Sequence, residues 1–294
     1  AQVHAFDLAG FGDPGEEVVL AFRIEDQGGY GGIKGPVSLS DERRGVMKDV
    51  AYIKWLAESH PDWPVPNWIR GAPLAWTISG LPGAEEEALV RSDGAVAPWA
   101  TAPTAEAWLF DPATGQLATG TDEVTDFSLH QGHLPIPTWE WSALGTTFRS
   151  VLFGDVQEQA IRWRISVRND EAASRDLVLM LVVRPFGINR SLAPVCSIGL
   201  QGESRLWVDG SPFLIAGTPP AEAGVGSLEE VMTATVQGKA PREDASFSDV
   251  SGLGAAVLAY PLTLDEKQSQ TLHFAFPIAP GTEAEQTADR KSVV

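Results

Sequence analysis

Cysteine is almost missing: Cys196 is the only one in 294 residues. One thiol cannot close an internal disulfide, and it cannot build a cysteine-based zinc or iron–sulfur site. A free thiol is compatible with the cytosol, and exported bacterial proteins can also do without disulfides. Basic residues are scarce too, 21 against 39 acidic, for a net charge of −18. Such a surface repels phosphate backbones and anionic bilayers, so neither a nucleic acid nor a membrane is expected as a partner. Uninterrupted apolar runs of the ~18 residues needed to cross a bilayer are absent. The opening AQVHAFDLAGF has neither a basic n-region nor a long apolar h-region. No signal peptide is visible, so either none existed or it was removed ahead of this numbering.

Several catalytic signatures are missing as well. No GxxxxGK[ST], no GxGxxG opening a helix after a strand, no HExxH and no GxSxG can be found. No cofactor and no metal are therefore expected. The glycine cluster Gly28 to Gly32 has none of the phosphate-cradling spacings and reads as a loop.

What is present is a pattern of strands cut by turns. Gly (29) and Pro (21) recur throughout. From Ala160 to Arg168, Ile161, Trp163, Ile165 and Val167 alternate with Arg162, Arg164, Ser166 and Arg168. That period of two predicts a strand with one buried and one wet face. Leu177 to Val183 is continuously apolar, the mark of a strand covered on both faces. With the Asn169-Asp170 turn between them, the two read as a long antiparallel hairpin. Further strands are expected at Val18 to Ile24, Thr138 to Ala143, Thr147 to Phe153, Arg205 to Val208, Phe213 to Ala216, Ala255 to Tyr260 and Thr271 to Phe276. Asp209-Gly210 is a strong hairpin turn. Turns at this spacing predict a mainly β chain, a two-layer antiparallel sandwich. One stretch differs. Ser38 to His60 carries apolar residues at helical spacing, with Ser40 as a possible cap and Pro61 as the stop. A helical insertion near residues 40–60 follows, then the proline- and tryptophan-rich PDWPVPNWIRGAP, which should pack over the sheet. A short helix is expected near Ser227 to Thr233. The tail 281–294 reads as a linker.

Candidate functional residues are few. His130 and His133 flank a Gln131-Gly132 turn, where they either ligate or shuttle protons, or merely occupy a turn. His273 falls in an expected strand. Asp7, Asp111, Glu140 and Asp209 sit at or near strands; as turn or surface carboxylates they need no further role. Trp139 and Trp141 share one strand face with Glu140 on the other. Exposed, the two indoles would stack on sugar rings; buried, they would be core. Trp63 and Trp68, among prolines, read as more exposed and as an alternative platform. The tentative carbohydrate-binding set is thus His130, His133, Trp139, Glu140, Trp141, Trp63 and Trp68.

The block from Thr138 to Phe186 carries a resemblance. It runs TWEWSALGTTFRSVLFGD, then QAIRWRISVRND, then RDLVLMLVVRPFGIN. It resembles the N-terminal β-domain of bacterial glycoside-hydrolase-like proteins of the glucoamylase, glycogen-debranching and sugar-phosphorylase kind. The resemblance implies a galactose-mutarotase-like supersandwich; the clear match covers this block of about fifty residues, the domain is taken as residues 1–280, and the insertion at about 38–72 has no counterpart in the resemblance. It also implies a helical (α/α)6 barrel as the partner domain beyond the 281–294 linker. In those families the catalytic carboxylates lie in the barrel, so no catalytic residue carries over. The implied role is a non-catalytic domain that supports or binds carbohydrate. Two alternatives stand beside it: an aldose 1-epimerase-like enzyme working through a histidine and a glutamate, and a plain carbohydrate-binding module using the tryptophans.

Overall fold

The computed structural model describes residues 49–84, 86–120, 124–241 and 245–278. The chain divides into two units, Ala1–Ser59 and His60–Val294. In the first, helix α1 (Asp49–Ser59) buries Ile53 and Leu56, three residues apart and therefore on one face. Its last residue closes the helix with a Ser59 hydroxyl that donates to the Trp55 carbonyl at 2.9 Å. The expected helix thus exists in its second half. Its start with Ser40, the strand Val18 to Ile24, the Gly28 to Gly32 cluster, Asp7 and the 281–294 tail lie outside the described residues.

The second unit is a sandwich of two antiparallel sheets. In chain order the strands are β1 (Trp76–Gly80), β2 (Glu87–Arg91), β3 (Val96–Ala97), β4 (Thr104–Asp111), β5 (Gln116–Ala118), β6 (Val124–His130), β7 (Leu134–Ala143), β8 (Thr146–Asp155) and β9 (Ala160–Asn169). Then follow β10 (Arg175–Arg184), β11 (Ser197–Gln201), β12 (Arg205–Val208), β13 (Ser211–Ala216), β14 (Glu222–Ser227), β15 (Ser246–Ser248), β16 (Gly254–Leu264) and β17 (Ser269–Pro277). The eight-stranded sheet runs β1-β2-β3-β4-β10-β16-β14, with β5 added on β4. The nine-stranded sheet runs β15-β11-β12-β13-β17-β9-β8-β7-β6. Helix α2 (Leu228–Thr235) follows β14. Its start is a capping box: Ser227 and Glu230 each satisfy the other's backbone N–H, as the expected helix at Ser227 requires.

The core between the sheets comes from alternation. Ile161, Trp163, Ile165 and Val167 of β9 meet Leu177, Leu179, Leu181 and Val183 of β10 in one apolar cluster. These two strands do not form the expected hairpin. β9 pairs with β8 and β17, and β10 pairs with β4 and β16, in the opposite sheet. The chain crosses the sandwich at Asn169, whose side-chain amide ties the corner to the carbonyls of Ala173, Leu264 and Asp265. A turn signal between two apolar strands is the same for a hairpin and for a crossover, which is why the local pattern misassigns the pair. Two hairpins place both turn residues at positive φ. Leu144-Gly145 (52° and 69°) joins β7 to β8, and Asp209-Gly210 (49° and 78°) joins β12 to β13.

Asp111 ends β4. Burial raises its pKa, but the backbone N–H of Ala113, the Thr114 donors and the Arg175 guanidinium outweigh that and hold it below the ordinary carboxylate value. The ion pair to Arg175 measures 3.0 Å. A carboxyl whose folded pKa is depressed stabilises the fold above its unfolded pKa, and that contribution is lost as pH falls through the folded value. Asp111→Asn should therefore flatten the loss of stability below about pH 4. Urea unfolding midpoints measured from pH 5 to pH 2 check this; parallel curves for the two proteins would contradict it.

Candidate functional site

The four candidate tryptophans are all covered. Trp139 and Trp141 are each 1% exposed, Trp63 is 5% and Trp68 is 7%. A stacking platform needs an open ring face, so the exposed reading of Trp63 and Trp68 is corrected, and the Trp139/Trp141 question resolves as core. The physical reasons differ. Trp139 and Trp141 point between the sheets because their alternation with Glu140 matches the pleat. Trp139 lies 6.0 Å from Trp163 between ring centroids, and Trp141 stacks on Phe148 at 4.4 Å. Gly94 lets the Trp139 indole approach: a Cβ there would sit 2.6 Å from its Nε1. Trp63 stacks on His60 at 4.0 Å, and Trp68 meets the edge of Phe186 at 6.5 Å. Proline around a tryptophan marks irregular backbone, and irregular backbone can lie against a sheet as readily as in water.

The histidines sit at the tip of the β6–β7 hairpin. His133 is exposed, and its Nδ1 is 3.0 Å from the Gln131 carbonyl. Glu140 lies seven residues further along β7, roughly 23 Å at the strand rise. The structure does not bring His133 together with Glu140, and Trp139 faces the opposite side of the sheet from Glu140. Asp209 accepts the Ser197 amide at 2.7 Å and Asp111 the Ala113 amide at 2.8 Å, so both serve turns. Among the described residues no group of three or more His, Cys, Asp or Glu could hold a metal ion. No described helix is long and apolar enough to cross a membrane.

Two concentrations of charge were not foreseen. The first is buried. On the face of the eight-stranded sheet turned away from the core, Arg184 of β10 grips Glu106 of β4 with two contacts, Nε to Oε1 at 3.2 Å and Nη2 to Oε2 at 2.6 Å. Thr104 donates to the same carboxylate at 3.1 Å. Arg184 also donates to the Pro64 carbonyl and lies over the rings of Trp108 and Phe186, 4.7 and 4.8 Å from their centroids. Burial pulls its pKa below the ordinary arginine value while Glu106 pulls it back up. Nearby, Arg91 Nε spans both oxygens of Asp93 at 2.7 and 2.8 Å. This knot binds the Trp63–Arg70 segment to the sheet; it is covered and its carboxylates are occupied. The signals were Arg184-Pro185 at a strand end and Glu106 between the alanines of β4.

The second concentration lies on the outward face of the nine-stranded sheet, where Arg149, Arg168 and Thr271 are exposed, Arg164 is half-buried and Val151 is covered. The outward residues of β7, β8, β9 and β17 form cross-strand rows. Glu140, Arg149, Ser166 and Thr271 make one row, and Thr138, Val151, Arg164 and His273 the next. Ser166 and Thr271 share a hydrogen bond of 2.8 Å. Arg162 pairs with Asp155 at 3.3 Å and Arg168 with Asp170 at 2.8 Å. The polar half of the β9 alternation was the sequence signal for this face.

A two-sheet antiparallel β-sandwich is therefore the class this chain defines. No protein-family profile matches it, and no curated protein does either. Among solved structures it is similar in fold to a bacterial glucoamylase complexed with acarbose: TM-score 0.51, 12% identity, over 72% of this chain and 33% of that one. A chain described as a kojibiose phosphorylase from the human microbiome aligns with TM-score 0.35 and 10% identity, over 69% of this chain and 25% of that one. The chain thus spans about a third of the glucoamylase's length.

Proposed function

We propose that this chain is the non-catalytic supersandwich domain of a carbohydrate-active protein, with residues 281–294 leading to a helical catalytic domain. The observation that carries the reading is the likeness of the sandwich to one part of a bacterial glucoamylase. The site geometry is in keeping with it. A proton-transferring pair must lie within hydrogen-bond reach of one substrate, and His133 and Glu140 do not. With the indoles buried, saccharide contact falls to the polar face of β7, β8, β9 and β17. The test is direct. The 294-residue chain should neither hydrolyse maltotriose nor accelerate glucose mutarotation in a polarimeter. Turnover of either substrate that disappears in Glu140→Gln would overturn the non-catalytic role.

A further inference from the structure

We propose that the arginine cluster on the outer face of β8 and β9 binds a carboxylated sugar, a short oligosaccharide of uronic acids. This rests on the carbohydrate reading above and names the ligand class. In the β8–β9 register Arg149 stands opposite Ser166, so Arg164 and Arg168 are its two diagonal neighbours. Such neighbours lie about 7–8 Å apart, within reach of long side chains. Arg162 is two residues from Arg164 on the same face. Four guanidinium groups thus crowd one patch of a chain whose net charge is −18. Asp155 and Asp170 neutralise Arg162 and Arg168. Glu140 stands across from Arg149, with Asp126 behind it in the next strand. Arg149 is exposed and Arg164 half-buried, and neither has an ion-pair partner among the described residues. As diagonal neighbours Arg149 and Arg164 repel each other, Glu140 opposite Arg149 offsets part of that, and a bound carboxylate between the two guanidinium groups relieves the rest.

The chemistry around the pair selects the anion. A guanidinium fork matches a carboxylate in plane and spacing. Ser166, Thr271 and Thr138 supply hydroxyls that donate and accept, which suits the alternating donors and acceptors of a sugar. The acidic remainder of the chain repels long polyanions, which leaves short acidic oligosaccharides as the class that gains from this patch.

Trigalacturonate and maltotriose titrated separately into the full chain, by calorimetry and by NMR, test the proposal. Trigalacturonate should bind, and its affinity should fall as sodium chloride rises from about 20 to about 300 mM. Arg149→Gln/Arg164→Gln should weaken it about tenfold or more at a melting temperature that does not fall, because both side chains reach solvent and their mutual repulsion is removed. Retained affinity in that variant overturns the proposal. Binding of maltotriose without trigalacturonate overturns it too, and leaves the carbohydrate reading standing. If neither binds, this site is refuted, and the turnover assays above still decide the parent reading independently.

Discussion

Glu106→Ala should cost about 3–5 kcal/mol of folding free energy, the scale for breaking one side of a buried ion pair. The Arg184 and Glu106 side chains are 2% and 8% exposed. Without the carboxylate, Arg184 keeps the Pro64 carbonyl, a long contact to the Met232 sulfur at 3.9 Å and two aromatic faces. None of these neutralises its charge, and Thr104 also loses an acceptor. The cost is mostly that of an unpaired guanidinium in a dry place rather than the worth of the pair. It follows that Glu106→Leu/Arg184→Met should recover much of the loss, because an apolar pair of similar volume carries no desolvation penalty. Urea unfolding of both variants measures this. A single variant no more costly than the double would mean that water reaches the pair and that the Trp63–Arg70 segment is not held by it.

Strand patterning was legible where the alternation is strict, as in β9, or the apolar run continuous, as in β10, whereas β1, with Trp76 exposed, was not among the expected strands. The alternation in β9, the Asp209-Gly210 turn and the short helix after Ser227 all stand where the residues place them. β4 was harder. β4, TAEAWLFD, is buried along its whole length, yet its outward face carries Thr104 and Glu106. Period-two counting rejects it, because the polar residues are satisfied by partners far away in sequence. Strand pairing was less legible still. β9 and β10 are sequential, and so are β16 and β17, yet each pair is split between the two sheets; nothing local distinguishes a corner from a hairpin. The candidate site failed for a related reason. His133 and Glu140 are close in sequence, but an extended strand separates neighbours in sequence faster than any other element. The arginine face was assembled instead from β8 and β9, whose register is fixed by burial of the other side.

That same register sets the last expectation. Trp163→Ala should cost about 3–5 kcal/mol through the cavity it leaves. The indole is 1% exposed and is ringed by Trp139, Phe274 and Phe276, with centroids 6.0, 6.1 and 6.2 Å away. Its Nε1 donates to the Ser150 hydroxyl at 3.0 Å, so removal also leaves a buried hydroxyl without that donor. Rigid aromatic neighbours cannot collapse into the space, which places the loss toward the upper end. Arg164→Ala, one residue on and facing the other way, should cost under about 1 kcal/mol, because its side chain reaches solvent and leaves no void. Trp163→Phe should fall between them, keeping most of the apolar contact while losing the hydrogen bond. Chemical denaturation of the three variants side by side gives the order. Similar losses for Trp163→Ala and Arg164→Ala would mean that the two faces of β9 are not the core and ligand faces inferred from them.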